Sequence, residues 1–124
     1  MRHALIMGCA AVLLLSHYAQ ACEKRSVNLR AEEMSKRIVT RTPIVPQANV
    51  ARIAGSIELF LEIDADGKPS CISVVRGHPI LTSAAVSSVK DWRFRPYRVK
   101  GKPVTYSGSL VIHAKDFADG YPQQ

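Results

Sequence analysis

The chain has 124 residues, of which 47% are apolar and 22% charged, so it has room for one domain behind a leading segment and is too apolar to be read as disordered. A domain of this size buries roughly two-thirds of the surface of its unfolded chain, which leaves a thin core that a covalent staple would help. The formal charge of +7 requires that anionic partners be weighed.

The N-terminus reads as a secretory signal. Met1, Arg2 and His3 form a basic start, Ala4 to Leu15 is an apolar run, and Ala19-Gln20-Ala21 offers the small-x-small site of signal peptidase. The run is interrupted by Ser16, His17, Tyr18 and Gln20, whereas a spanning helix needs about 20 apolar residues. Residues 1–21 are therefore expected to be removed on export, leaving Cys22 first. Cys9 leaves with the signal, and Cys22 with Cys71 then form an even pair in an oxidising compartment, the pattern of a disulfide. Closing a loop of about 50 residues would stabilise the fold by about 4 kcal/mol. A lipidated Cys22, which would bring membrane association, and two free thiols are the alternatives.

From Val27 to Ile38 the apolar residues Val27, Ala31, Met34 and Ile38 recur at helical spacing, with Glu32–Lys36 and Glu33–Arg37 as i,i+4 pairs. This predicts an amphipathic helix within an N-terminal helical or linker segment, residues 22–41. Pro43 and Pro46 stop it, and a weaker helical turn from Gln47 to Ile53 ends at Gly55. Ile57, Leu59, Leu61 and Ile63 alternate with Glu58, Phe60 and Glu62 and predict a strand with one buried face. Asp64-Ala65-Asp66-Gly67 supplies turn chemistry, and Ser70 to Arg76 returns as the second strand of a hairpin. Gly77-His78-Pro79 then leads into a helix over Ile80–Trp92, with Leu81, Ala85, Val89 and Trp92 on one face. Pro96 ends it, Tyr97 to Lys102 reads as a basic connector, and Val104 to His113 alternates as a third strand. The order predicts an α+β fold in two layers, a small three-stranded antiparallel sheet with a helix packed on one face.

The runs Gly55 to Ile63, Asp64-Ala65-Asp66-Gly67-Lys68, Val75 to Leu81, Ala84-Ala85-Val86, Trp92-Arg93-Phe94-Arg95-Pro96 and Gly101-Lys102-Pro103-Val104, in this order and spacing, resemble the C-terminal domain of TonB energy transducers. The resemblance covers residues 42–117, with 118–124 as a flexible tail. Gly67, Pro79, Leu81, Ala85, Trp92, Phe94 and Pro96 are its fold-keeping residues, and each has a local physical reason, such as the positive-φ turn at Gly67 and the aromatic closure of the core at Trp92 and Phe94. The family resemblance implies capture of an extended peptide, the TonB box of an outer-membrane transporter, as an added strand. The strand implied to receive it is the last one, comprising Val104, Thr105, Tyr106, Ser107, Gly108, Ser109, Leu110, Val111, Ile112 and His113. Gly108 within it marks either a close backbone approach or a local weakening.

Two departures from the family shape the expected role. Its opening Tyr-Pro reads Val45-Pro46 here, and residues 22–42 span at most about 70 Å. An accessory role, soluble or attached to the outer membrane, therefore fits better than transmission of force. A self-associating envelope protein using the same edge, as a homodimer, is the rival reading.

Other chemistry finds little support. Lys90, Arg93, Arg95, Arg98, Lys100 and Lys102 interleave with Trp92, Phe94 and Tyr97 as a nucleic-acid surface can, but export argues against that partner and favours a solvated basic face, with an anionic membrane surface next. His78, His113 and the carboxylates Asp64, Asp66, Asp91 and Asp116 stand in no catalytic or metal spacing, so no catalytic residue, metal or cofactor is expected. Asp64 to Gly67 has the start of a calcium loop but lacks its twelfth-position acid.

Overall fold

The computed structural model describes residues 22–45 and 55–113. The leading segment 1–21, the turn predicted over Gln47–Ile53 and the tail 118–124 lie outside them.

The body of the domain is built on β3 (Ser56–Ile63), β4 (Pro69–Arg76), α2 (Pro79–Val89) and β8 (Tyr106–His113). Strand alternation makes β3 the centre of the core: Ile57, Leu59, Leu61 and Ile63 are each fully buried on one face, and a buried aliphatic side chain of this kind contributes roughly 1.5 to 3 kcal/mol. β3 pairs antiparallel with β4 on one side and with β8 on the other. The β3–β4 turn closes as its sequence predicts. Asp64 Oδ1 accepts the amides of Asp66 and Lys68, each at 2.9 Å, and Gly67 takes φ +85°. Gly67 is also pinned from outside, because its carbonyl accepts the Phe94 amide at 2.8 Å and a Cβ there would overlap the Phe94 carbonyl.

Helix α2 starts on His78, whose ring accepts the Ile80 amide at 3.2 Å, with Pro79 in the first turn where no intrahelical donor is lost. Leu81, Ala85 and Val89 are buried against the sheet. The helix stops at Val89, short of the predicted end. Trp92 lies beyond it, buried, with its indole N–H donating to the Thr42 carbonyl at 3.0 Å and to Ser88 Oγ at 3.2 Å. Phe94, in β5 (Arg93–Phe94), is equally enclosed, and exposed Pro96 ends the stretch.

The fold is two-layer α+β, and the three antiparallel strands carry a fourth that the sequence reading did not contain. β1 (Asn28–Leu29) joins parallel to β8, giving the order β1-β8-β3-β4. The helix expected over Val27–Ile38 is correspondingly shorter, α1 at Ala31–Lys36, and Ile38 begins β2 (Ile38–Thr40), which pairs with β5. The apolar spacing of Val27, Ala31, Met34 and Ile38 suits a helix. Pairing with β8 and β5 satisfies the backbone at the two ends instead, and tertiary contact overrides local propensity. The connector Tyr97–Lys102 is also more ordered than expected, forming a hairpin of β6 (Tyr97–Val99) and β7 (Lys102–Val104).

Candidate functional site

The last strand is the candidate site, and its register decides what it can do. Tyr106 to His113 pairs with β3 without a bulge from Ile63↔Tyr106 to Ser56↔His113. Val104 does not belong to it, because it pairs with Tyr97 in the β6–β7 hairpin, and Thr105 is the junction between the two strands. That is a correction to the expected span. Within β8, side chains alternate between two faces. Tyr106, Leu110 and Ile112 are buried in the core, and Gly108 lies on the same face. Ser107, Ser109 and Val111 point to the other face. Backbone donors alternate too, so the amides of Ser107, Ser109 and Val111 aim away from β3, toward the outer edge.

That edge is wrapped by residues 22–45. The arm begins at Cys22, bonded to Cys71 of β4 with S–S 2.00 Å. It then crosses the non-core face of the sheet along a single row of register partners, Cys71, Glu62 and Ser107. The Glu23 amide donates to Glu62 Oε1 at 3.0 Å, Arg25 Nε lies 3.1 Å from the same oxygen, and the Arg25 amide donates to Ser107 Oγ at 2.8 Å. Ser107 in turn donates to Asn28 Oδ1 at 2.8 Å. At the edge the Val27 carbonyl accepts the Ser107 amide at 2.9 Å, and Asn28 and Leu29 pair with Ser107 and Gly108. The arm then passes to the opposite face, where Met34 of α1 is fully buried.

Two of the predicted residues take roles the sequence had left open or wrong. Gly108 marks a close approach and no bulge: a Cβ there would meet Met34 Cε at 2.6 Å and the Leu29 carbonyl oxygen at 2.8 Å. Ser107, which alternation alone would place on an accessible face, has no exposure at all because the arm covers it. Sequence reasoning missed the arm, and Glu62 carried the clue. An acidic residue in the middle of an apolar strand is only 7% exposed here, and burial of that kind requires a partner.

The far end of the arm is fixed by Arg37. Its guanidinium stacks 4.5 Å over the Tyr97 ring and 5.5 Å from that of Tyr106, and donates to the Arg95 and Pro96 carbonyls. The Tyr106 hydroxyl donates to the Arg95 carbonyl at 2.8 Å. Burial pushes the Tyr106 phenol above its usual value of 10.0, and the nearby Arg37 charge partly opposes the shift. Among the described residues no group of His, Cys, Asp and Glu could hold a metal ion.

These features describe a small two-layer α+β domain whose long, regular outer strand carries one short parallel strand at its start. The sequence profile of the Gram-negative bacterial TonB protein C-terminal family matches residues 46–113, more than half of the chain, and the chain belongs to that family. In fold it is similar to the solution NMR structure of the Pseudomonas aeruginosa TonB CTD, with a TM-score of 0.50 at 23% identity over 62% of this chain and 82% of that one. No curated protein sequence matches it. The arm up to Val45 lies outside the family match.

Proposed function

We propose that the protein is a periplasmic partner-capture module of TonB-dependent transport, not an enzyme, which binds an extended peptide of an outer-membrane transporter by adding it to the outer edge of β8. Family membership supports the transport setting. The observation that carries the docking site is the regular register of β8, in which every second backbone amide aims outward along an unbulged strand. Among the described residues no strand pairs with this side of Leu110–Ile112. A signal at residues 1–21 accounts for entry into the periplasm, and the oxidising compartment for the Cys22–Cys71 bond. A sulfur held in that bond is not available for a thioether lipid, so the protein acts without a lipid anchor on Cys22.

The test is a proline at an outward amide. Val111→Pro removes a donor the incoming strand needs and leaves the alternate β8 donors that face β3. With folding verified by circular dichroism, binding of a synthetic TonB-box peptide should fall at least tenfold, whereas Val111→Ala should retain it. Equal binding by parent and folded proline variant removes β8 as the docking edge.

A further inference from the structure

The capture reading requires an accessible strand edge, and the structure shows the first part of that edge filled. Asn28 and Leu29 add to β8 in the way a captured peptide would, through backbone pairing at Ser107 and Gly108. Side chains reinforce the ladder on both faces. Asn28 accepts from the Ser107 hydroxyl on one face, and on the other Leu29 is 9% exposed over Gly108, beside the buried Met34. The segment is tied to the body on its N-terminal side, since Cys22 is bonded to Cys71 and Arg25 is ion-paired to Glu62. Residues 46–113 are the part matched to the family, so the body provides the edge and the preceding arm covers it.

We infer that Asn28-Leu29 is a built-in stand-in for the peptide ligand, an intramolecular strand that occupies the β8 edge and must leave before a partner can use Ser107 and Gly108; this rests on the capture reading given above. A tethered segment competes at an effective concentration of about millimolar, so its presence lowers the apparent affinity of any free peptide for the same backbone groups. The stand-in also describes the partner. The incoming peptide runs parallel to β8, with an aliphatic side chain at the Gly108 register to replace Leu29 and, one residue earlier, a hydrogen-bond acceptor facing Ser107. Gly108 is what makes room for that aliphatic residue, because any side chain at this position would collide with the Leu29 carbonyl and Met34.

The inference separates cleanly from the capture reading in one experiment on the full mature chain. Leu29→Pro removes both the buried side chain and a ladder donor of β1, and Leu29→Asn removes only the apolar anchor, which keeps the test alive if the proline variant does not fold. Two probes are titrated into parent and variants, a synthetic peptide with the sequence of residues 23–31 and a TonB-box peptide, while the Ser107 and Ser109 amide resonances are followed. The 23–31 peptide should shift both resonances in Leu29→Pro with at least tenfold higher affinity than in the parent, and in Leu29→Asn with a smaller gain. Equal affinity in parent and folded variant, or no binding to either folded variant, overturns the stand-in. If the 23–31 peptide shows the gain but the TonB-box peptide binds nothing, the stand-in holds and the capture of transporter peptides fails. If the 23–31 peptide shows no gain while the TonB-box peptide binds parent and variant alike, capture holds elsewhere and the stand-in is overturned.

Discussion

The two outer strands of the antiparallel sheet meet the hazard of an exposed edge in opposite ways. β4 is bare on its outer side among the described residues, with Val74 and Val75 half exposed, but its register against β3 slips twice, between the Glu58 and Leu59 pairs and between the Glu62 and Ile63 pairs. Such bulges break the even spacing of donors and acceptors that another strand would need. β8 keeps an even register along its whole length and is instead covered at Ser107 and Gly108 by a chain segment. A regular edge that is protected by a removable cover retains the capacity to pair, whereas a bulged edge has surrendered it. The contrast agrees with the proposal above, in which strand addition occurs on β8 and β4 is a passive margin.

The difference between the two edges should show most clearly when the cover is detached. Replacing Cys22 and Cys71 together by Ala should lower unfolding stability by about 4 kcal/mol, the value expected for a loop of separation 49. More telling is where the loss appears. Amide exchange should quicken at Ser107 and Ser109 well before it does along the β3–β4 ladder, because the disulfide anchors the arm and β4 has its own pairing. Uniform quickening across the sheet would mean that the arm is not a separate unit.

Much of the body was legible from sequence because its signals are local. The alternation from Ile57 to Ile63, the Asp64 to Gly67 turn and the Leu81, Ala85, Val89 face each specify their element within a few residues, and all three stand where expected. The cover was not legible. A two-residue strand has no period to detect, and Val27, Ala31, Met34 and Ile38 satisfy a helical pattern whether or not the ends are helical. Leu29 was the discordant residue, an aliphatic off the predicted helical face, and its burial over Gly108 is a long-range fact. The division between Val104 and Tyr106 was missed for the same reason: both fit one alternating run, but Val104 answers to Tyr97 and Tyr106 to Ile63.

A second test addresses the β4 side. Gly67 closes the β3–β4 turn at φ +85° with its Cα against the Phe94 carbonyl, so Gly67→Ala combines a left-handed backbone strain with a clash against main chain. A loss of about 3 kcal/mol is expected in denaturant titration. Peptide binding at β8 should be unchanged in the fraction that remains folded. Linked loss of binding would show that the two edges are not independent.

Ser107→Ala loosens the cover from inside. The hydroxyl accepts the Arg25 amide and donates to Asn28, both on the arm, and it makes no bond to β3 or β4. Its removal should lower stability by about 1 to 2 kcal/mol through the orphaned Arg25 donor and loosen the arm selectively. The signature is faster exchange at Ser107 together with tighter binding of an edge peptide that has no acceptor facing Ser107, the reverse of what a generally damaged domain would give.

The smallest effect belongs to Tyr106, where the arm meets the body, and it is read through pH. Its phenol donates to the Arg95 carbonyl beneath the stacked Arg37 guanidinium, and burial raises its pKa above 10.0 in the folded protein. The unfolded chain therefore releases this proton first as pH rises. The stability linked to Tyr106 is fully present below about 10, the unfolded value, and falls away as pH climbs through the higher folded one. Arg37 limits the fall, since its positive charge favours the phenolate. Tyr106→Phe should lower stability at neutral pH by about 1 kcal/mol, the worth of one hydrogen bond, and should flatten the decline above pH 10 that the parent shows. A parent and variant with parallel stability curves between pH 9 and 11 would show that the Tyr106 proton is not what couples Arg37 and the arm to the first residue of β8.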